Sequence, residues 1–315
     1  MRFCARTALG TLALDRIIFC GIVLWIMDTR VSVIIPVFNE EKNIPSLRVD
    51  IEALTALPFV QEVIVVNDGS SDASGSLLEG SSAFRLVSHP HNRGYGASLK
   101  TGAEHASAAY IAFFDGDGQH FVEDMARLFE QAPAYHMIVG SRTGYKGPRW
   151  RSPGKMLITL LASYLVGRKI PDLNSGLRII RRDLFFQFFN LYPNGFSLTT
   201  TVTLAFMKYG YTVCYVPIRI KKRVGKSTVS VRDGFRTMNL VVRMIMLFAP
   251  LRIFVPLGGA LLAVSGVSLM HDIAVRNLGD TTTSLFLASI MILSFGLLAD
   301  QVSAIRREIS ARSHR

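Results

Sequence analysis

An apolar run ends abruptly in two acidic residues in the stretch Tyr110-Ile111-Ala112-Phe113-Phe114-Asp115-Gly116-Asp117-Gly118-Gln119-His120. Apolar runs of this kind are typical of buried strands, and the two glycines that follow stop the strand and bring backbone close to a ligand. Carboxylates that flank a glycine, with no basic neighbour, suit a hard divalent cation, because such an ion takes oxygen ligands and keeps waters or substrate phosphates in its shell. An ordinary acidic turn has the same appearance, so the motif needs support from elsewhere in the chain.

Upstream of this motif, strand-like and helix-like segments alternate from about residue 30. The predicted strands are Val31–Val37, Glu62–Asp68, Phe84–Ser88 and Tyr110–Phe114. Helical patterns run from about Asn39 to Leu57 and from Gly94 to Ala106. This alternation predicts an α/β fold with a mostly parallel sheet and helices on both faces. Right-handed crossovers place the carboxyl ends of the strands along one edge, where ligands bind.

Four polar clusters fall at that edge of the predicted sheet: Pro36–Glu40, Asp68–Asp72, Asn92–Gly96 and Asp115–His120. Acidic groups that converge on one edge repel each other unless a cation or hydrogen-bond donors lie among them. A nucleotide resolves this conflict, since some acids can hold its base and ribose while others hold it through a metal ion.

The C-terminal part of the chain is predicted to be membrane-bound. The segment Phe235–Phe248 is apolar with Arg236 and Arg243 two helical turns apart, which is typical of a helix lying in a membrane interface. Ile253–Met270 and Thr281–Ala299 contain no charged residue and are each close to the roughly 20 residues of a membrane span. Arginines flank the hairpin outside both spans, so the positive-inside rule places the α/β domain in the cytoplasm.

Composition bounds the remaining possibilities. The net charge is +12, but the basic residues lie beside the membrane segments and in loops, with no nucleic-acid motif, so nucleic-acid binding is not expected. The three cysteines are far apart, which fits a reducing compartment. Residues 1–29 form an extension of uncertain status: either an interfacial anchor or upstream sequence before a true start at Met27.

Seven motifs together resemble the inverting family-2 glycosyltransferases with the GT-A fold, and most closely the polyprenyl-phosphate sugar synthases, the group of dolichyl-phosphate mannose synthase and bactoprenol glucosyltransferase. The likeness covers about residues 30 to 300. The motifs are Ile35–Glu41, Val66–Asp72, Asn92–Gly96, Asp115–His120, Gly140–Arg142, Asn174–Arg178 and Arg223–Ser227. Each motif alone is weak evidence for the family, whereas the full set in this order is specific to it.

The resemblance implies a role for each matching residue on the donor side. Pro36, Glu40 and Asp68 would hold the base and ribose of a nucleotide sugar, and Arg93 would approach the nucleotide. Asp115, Asp117 and Gln119 would bind nucleotide and metal, Mg or Mn, with Asp117 among the catalytic residues.

The resemblance also implies the acceptor side of the site. Arg142, as a catalytic residue, and Ser175 would face the acceptor phosphate, and the basic run that continues through Arg149 and Arg151 would add to this phosphate site. Arg223 and Lys226 lie in a loop that would close over the diphosphate. The family often carries a lysine where Thr228 stands here, so Lys226 is the candidate for that charge.

These residues predict transfer of a sugar, with inversion, from a nucleotide sugar to a polyprenyl phosphate. Such an acceptor is already an anion, so no carboxylate base is needed; a metal ion and arginine clamps would stabilise the departing diphosphate. Asp172 is the exception that could act as a base. Two alternative functions are compatible with the same fold: a processive polysaccharide synthase, and a membrane scaffold without catalytic activity.

The predicted organisation has five parts: an extension at 1–29, a GT-A catalytic domain at 30–232, an interfacial amphipathic helix at 233–252, two transmembrane helices at 253–300 and a basic cytoplasmic tail at 301–315. The expected location is the inner or plasma membrane of a bacterium. Gly258-Gly259 and Ser265-Gly266 offer small faces at which helices could pack, within the hairpin or between protomers of a homo-oligomer.

Overall fold

A computed structural model of the chain describes residues 30–142, 152–221, 242–243, 245–275, 277 and 279–312. Several sequence-based predictions lie outside these residues: the extension at 1–29, Arg149 and Arg151 of the basic run, Arg223 and Lys226 of the closing loop, and positions 233–241 of the interfacial helix.

Seven strands form one mixed sheet in the order β3-β2-β1-β4-β6-β5-β7. They are β1 (Val31–Val37), β2 (Val60–Asn67), β3 (Arg85–Ser88), β4 (Tyr110–Phe113), β5 (Met137–Arg142), β6 (Arg178–Arg181) and β7 (Val213–Ile218). The pairs β1–β2, β1–β4, β2–β3 and β5–β7 are parallel, whereas β6 runs antiparallel to both β4 and β5. The prediction of a mostly parallel sheet is confirmed, with β6 as the reversed strand.

The central strands are buried on both faces. Ile34 of β1 belongs to one hydrophobic cluster, and its neighbours Val33 and Ile35 belong to the cluster on the opposite face. Because successive side chains of a strand point to opposite faces, a strand covered on both sides must be apolar at nearly every position. This explains why these strands stand out in the sequence as continuous apolar runs.

Helices cover both faces of the sheet, as predicted. In the α/β domain they are α1 (Ile44–Thr55), α2 (Ser74–Leu78), α3 (Tyr95–His105), α4 (Val122–Phe129), α5 (Ser152–Val166), α6 (Arg182–Gln187) and α7 (Leu198–Lys208), with short 3-10 turns at Ala132–Ala134 and Phe189–Leu191. Leu99 of α3 packs in the first cluster and Leu47 of α1 in the second. Gly102 lets α3 lie close on β1, because a Cβ at this position would be 2.3 Å from Cγ2 of Ile34.

The carboxyl ends of β1, β2 and β3 lie side by side. Val37 pairs with Asn67, and Asn67 pairs with Ser88. β4 runs parallel to β1, with Phe113 opposite Ile34. The polar segments that follow these four strands therefore emerge along one edge of the sheet, where the sequence predicted a ligand site.

Positions 242–243 and 245–248 are helical and are docked on the α/β domain. Leu247, Phe248 and Ala249 are buried in the first hydrophobic cluster, whereas Val242 and Met246 are exposed. This turn thus packs one side against protein and leaves Val242 and Met246 exposed, and the predicted interfacial helix at positions 233–252 remains a prediction.

Two long helices follow, α8 (Leu251–Val275) and α9 (Asp280–Arg312), and pack against each other as a hairpin. Both are long and apolar enough to cross a membrane and leave most of their residues exposed. At 1.5 Å per residue α8 is about 37 Å long, more than the hydrocarbon core of about 30 Å. The predicted spans lie within these two helices.

Small residues of the hairpin serve the contact between its two helices. A Cβ at Gly258 would lie 2.7 Å from a leucine of α9, and Ser265 Oγ donates to the carbonyl oxygen of Thr282 at 3.2 Å. A Cβ added at Gly259 or Gly266 would have no atom within 4 Å. The small faces predicted from sequence are thus used within the hairpin at Gly258 and Ser265.

Candidate active site

Asp115, the first acid of the motif after β4, is held from three directions. Tyr95, the first residue of α3, donates its hydroxyl to Asp115 Oδ1 at 2.7 Å, and Nε2 of His120 lies 3.3 Å from Oδ2. Gly176 approaches from the loop before β6, and a Cβ there would lie 1.9 Å from Asp115 Oδ2. A side chain at position 176 would therefore displace the carboxylate, and only glycine fits.

Asp115 is ionised although only 26% of its side chain is exposed. Burial raises the pKa of its carboxyl, but the hydrogen bond and charge of His120, the Tyr95 hydroxyl and the charge of Arg178 together lower that pKa below its ordinary value. Burial, followed by the neighbouring Asp115, raises the pKa of the Tyr95 hydroxyl well above its ordinary value. The tyrosine therefore remains a donor, and the site presents a fixed anion.

Asp117, the second acid, sits in a tight turn after β4. Its Oδ1 accepts a hydrogen bond from the backbone N–H of Gln119 at 3.1 Å, and the intervening Gly118 has φ +70°. Gly116 packs over the end of β1, since a Cβ there would lie 2.8 Å from the carbonyl oxygen of Pro36. The two glycines thus let the acidic turn fold back onto the sheet edge.

The acidic turn offers a metal ion two carboxylates and an amide oxygen, from Asp115, Asp117 and Gln119. Across the described residues, no group of three His, Cys, Asp or Glu side chains is placed to hold a metal ion. An ion at this turn would therefore complete its shell with waters and ligand phosphates. That arrangement fits Mg²⁺, which is usually bound by one or two carboxylates plus substrate phosphates, and Mn²⁺, which prefers the same oxygen ligands.

Arg142, at the end of β5, is paired with Asp172. The guanidinium donates through Nε to Asp172 Oδ2 at 2.7 Å and through Nη2 to Oδ1 at 2.8 Å, and the backbone N–H of Arg142 adds a third contact at 3.2 Å. Burial raises the pKa of the Asp172 carboxyl, but its hydrogen bonds and the Arg142 charge outweigh this effect and lower the pKa. Asp172 thus orients Arg142, and its lowered pKa makes it a weaker candidate base.

Arg178, the first residue of β6, is fully buried. Its guanidinium donates to the carbonyl oxygens of Ser175 and Thr199 and to Thr203 Oγ1. These bonds fix the segment that carries Gly176 to Asp115. Ser175 Oγ is itself fully buried and has no hydrogen-bond partner among the described residues. Ser175 is thus buried behind this segment, and its role toward an acceptor phosphate remains a prediction.

Asp68, which the resemblance assigns to the nucleotide, is hydrogen-bonded to the loop after β3. Its Oδ1 lies 2.7 Å from Nδ1 of His89 and accepts from the backbone N–H of Arg93 at 2.9 Å, and its Oδ2 accepts from Gly94 N–H at 2.9 Å. Asp68 is only 3% exposed. The carboxylate is thus enclosed by the loop after β3, and its role toward base or ribose remains a prediction. The Arg93 side chain is exposed.

The loops after β1 and β2 are joined by hydrogen bonds. Asn39, with φ +55°, receives a hydrogen bond at its side-chain oxygen from Ser71 N–H at 2.8 Å, and Glu40 N–H donates to Ser74 Oγ at 2.8 Å. Pro36 and Glu40 are half-buried at this edge, and Phe38 between them is exposed. These residues form a hydrogen-bonded shelf beside the acidic turn.

The chain that leads to the predicted closing loop also reaches the acidic turn. Lys221 N–H donates to the carbonyl oxygen of Gln119 at 2.9 Å, and Lys221 Nζ lies 3.7 Å from Asp50. Arg223 and Lys226 follow in sequence, outside the described residues. Their predicted role over a diphosphate remains a prediction, with its starting point beside Gln119.

Tyr95 and His120 lie within the sequence motifs, but the sequence predicted no role for either residue. In the structure both contact the Asp115 carboxylate. Tyr95 stands between two glycines, so it carries the only side chain in this part of the motif that could contact the site. Phe196 was also missed. Its ring stacks on Tyr95 with centroids 5.2 Å apart.

Comparison with known proteins points to one family. The protein-family model described as glycosyl transferase family 2 matches residues 32–189 of this chain. The protein-family model described as GtrB C-terminal hairpin matches residues 249–305. The undecaprenyl-phosphate 4-deoxy-4-formamido-L-arabinose transferase of Salmonella choleraesuis (strain SC-B67) is 26% identical over 305 residues, which cover 90% of this chain and 91% of the relative. The same enzyme of Salmonella dublin gives the same figures.

Solved structures share the fold at lower identity. Glucosyl-3-phosphoglycerate synthase from Mycobacterium tuberculosis in complex with UDP superposes with a TM-score of 0.58 and 17% identity over 76% of this chain and 85% of that one. The complex of the same enzyme with Mn²⁺, UDP and glucosyl-3-phosphoglycerate superposes with a TM-score of 0.57 and 17% identity. This superposition covers 70% of this chain and 80% of that one. At this identity the likeness establishes the GT-A type of fold alone.

Proposed function

Because the chain belongs to glycosyl transferase family 2, we propose that it transfers a sugar, with inversion, from a nucleotide sugar to a polyprenyl phosphate at a membrane. The observation that carries the acceptor assignment is the Arg142–Asp172 pair. The carboxylate that could have served as a base is bound to an arginine and has a lowered pKa. An acceptor that needs no deprotonation, such as a phosphate, suits this arrangement.

Arg142 is the residue we assign to the acceptor phosphate. Asp172 accepts from two of its side-chain nitrogens and fixes the plane of the guanidinium. An arginine has five N–H donors in a planar fork, which matches phosphate oxygens. Arg149 and Arg151 are proposed to add to the same phosphate site.

The donor is proposed to lie along the shelf beside the acidic turn. Phe38 is exposed between Pro36 and Glu40, so a nucleobase can pack against an apolar surface with a carboxylate in reach of its ribose. The diphosphate would then lie toward Asp115 and Asp117, with Arg223 and Lys226 closing over it. UDP in the M. tuberculosis synthase supports a nucleotide donor for this fold.

A divalent ion, Mg²⁺ or Mn²⁺, would be held by Asp115, Asp117 and Gln119 and would supply Lewis-acid stabilisation of the leaving diphosphate. The chain's own residues prepare this position. Tyr95 and His120 orient the Asp115 carboxylate, and the Gln119 N–H orients that of Asp117. Mn²⁺ in the M. tuberculosis synthase supports a metal in this fold.

The membrane hairpin supports a lipid acceptor. We propose that α8 and α9 cross the bacterial inner membrane and leave the catalytic domain in the cytoplasm, where nucleotide sugars are made. The Salmonella relatives, which act on undecaprenyl phosphate by name, match this chain through the hairpin as well as the catalytic domain. Association into a homo-oligomer through the membrane helices is also proposed.

The test is a product assay. Purified protein in lipid nanodiscs is incubated with Mg²⁺ or Mn²⁺, undecaprenyl phosphate and a panel of nucleotide sugars, and the lipid fraction is analysed by mass spectrometry. The expected product is a polyprenyl-phosphate monosaccharide formed from one or a few donors. Formation of a polysaccharide, or the absence of any glycosylated lipid across the whole panel, would contradict the proposal.

A further inference from the structure

Phe196 is the most exposed large hydrophobic side chain in the described part of the chain, at 82% of its surface. Exposure of a single apolar residue is common and needs no explanation by itself. Phe196 differs in its surroundings, because its ring stacks on Tyr95 at 5.2 Å and 15°, and the Tyr95 hydroxyl is bonded to Asp115. One stacked ring thus separates Phe196 from the acidic turn.

The loop that carries Phe196 is held firmly against α3. A Cβ at Gly94 would lie 2.6 Å from the carbonyl oxygen of Asn194, and a Cβ at Gly96 would lie 2.4 Å from that of Pro193. The backbone N–H of Ala97 donates to the same Asn194 oxygen at 3.0 Å. The two glycines of the Asn92–Gly96 motif therefore make room for this loop.

The same segment reaches the membrane-proximal part of the molecule at its other end. Arg243 donates through Nη2 to the carbonyl oxygen of Leu191 at 3.2 Å, and the turn Phe189–Leu191 packs against α9. Phe196 therefore lies on a short stretch of chain that runs from the membrane-anchored helices to the side chains holding Asp115.

We propose that Phe196 binds the phosphate-proximal isoprene units of the acceptor lipid and so determines acceptor affinity. This inference rests on the proposed function. An acceptor whose phosphate reaches Arg142 must bring the start of its hydrocarbon chain out of the bilayer, and an exposed aromatic ring on the segment that links α9 to the acidic turn would shield that chain from water. The proposed nucleotide contacts come instead from the shelf after β1.

The first test is binding of geranylgeranyl phosphate, measured by calorimetry on the full chain in detergent. Phe196→Ala is expected to weaken binding about tenfold, because the isoprene units would lose part of the apolar area that the aromatic ring buries. Phe196→Leu, which keeps an apolar side chain, is expected to retain most of the affinity. Leu77→Ala, at an exposed apolar position of α2, is the matched control and should bind like the wild type.

The second test is a steady-state assay with each variant. Phe196→Ala should raise the KM for polyprenyl phosphate about tenfold and leave the KM for the nucleotide sugar unchanged. A raised donor KM with unchanged acceptor binding would overturn the proposal and make Phe196 a platform for the donor sugar. Equal losses in Phe196→Leu and Phe196→Ala would also overturn it, since an aromatic face rather than apolar area would then be required.

The two tests separate this inference from the proposed function. If the wild type binds geranylgeranyl phosphate through Phe196 but glycosylates no polyprenyl phosphate, the function is wrong and the lipid contact stands. If it glycosylates polyprenyl phosphate and Phe196→Ala matches the wild type in both measurements, the contact is wrong and the function stands. Failure of the wild type to bind geranylgeranyl phosphate contradicts the contact directly.

Discussion

Asp68 and Asp115 follow strands of the same sheet and have different environments. Asp68 accepts two backbone N–H bonds and contacts His89, so it is enclosed by its own loop. Asp115 is held by two side chains that leave part of its carboxylate exposed. Backbone donors thus enclose Asp68, whereas Asp115 keeps part of its carboxylate open at the predicted ligand edge.

Asp117→Ala is expected to abolish turnover while leaving the fold intact, because it removes a carboxylate ligand from the proposed metal site, which lies in a turn at the edge of the sheet and outside the hydrophobic core. Activity and Mn²⁺ binding are measured together, with thermal unfolding as the check on folding. Asp183→Ala, at an exposed position paired with Arg181, is the control and should remain active. Wild-type activity in Asp117→Ala, or full activity of the wild type in excess chelator, would refute the metal assignment.

Arg142→Ala is expected to lower kcat/KM by about 30- to 1000-fold, since it removes a charge-assisted contact worth about 2–4 kcal/mol in the transition state. Asp172→Asn keeps the shape of the partner but weakens its hold on Arg142, so about a tenfold loss is expected, or roughly 1.4 kcal/mol. Steady-state kinetics distinguish orientation from base catalysis. An inactive Asp172→Asn beside an active Arg142→Ala would mean that Asp172 is the base.

At the scale of elements, the site depends on close approaches between loops that come from distant parts of the sequence. The loop before β6 touches Asp115 through Gly176, and the loop before α7 touches α3 through Gly94 and Gly96. Arg178, buried at the start of β6, links the first of these loops to α7. Glycines therefore set the distance between elements at the site.

Gly176→Ala is expected to abolish activity, because the added Cβ would meet the Asp115 carboxylate at 1.9 Å and displace it. Gly195→Ala adds the same methyl group where nothing lies within 4 Å and should retain activity. The measurements are kcat and the apparent affinity for Mn²⁺, both of which should fall in Gly176→Ala alone. Equal activity of the two variants would show that Asp115 need not be held in this position.

At the scale of the whole molecule, sequence predicts the layers better than the contacts. β1 was found at its predicted residues because burial on both faces leaves a continuous apolar run, and the two apolar helices of the hairpin were found because each contains a long stretch without charge. The hydrogen bonds of Asp68 could not be predicted from sequence, because their donors come from a loop more than 20 residues away. The burial of Arg178 was likewise unforeseen, since its guanidinium bonds to Thr199 and Thr203 of α7.

The hairpin gives the topology prediction. Reporter fusions at the C-terminus should signal cytoplasm, and a reporter inserted at Asn277, between α8 and α9, should signal the opposite side, because arginines flank the outer ends of both spans. Periplasmic alkaline phosphatase and cytoplasmic fluorescent reporters distinguish these positions. A cytoplasmic signal from Asn277 would mean that the hairpin does not cross the membrane.

The acceptor is tested most directly by comparing two lipids that differ only in the phosphate. Polyprenyl phosphate and free polyprenol of the same chain length are each placed in nanodiscs with the purified protein, metal ion and an active nucleotide sugar, and glycosylated lipid is measured over time. Polyprenyl phosphate should be glycosylated and polyprenol not at all, because Arg142 is the proposed phosphate ligand and the candidate base Asp172 is paired with it. Comparable glycosylation of free polyprenol would contradict the lipid-phosphate acceptor.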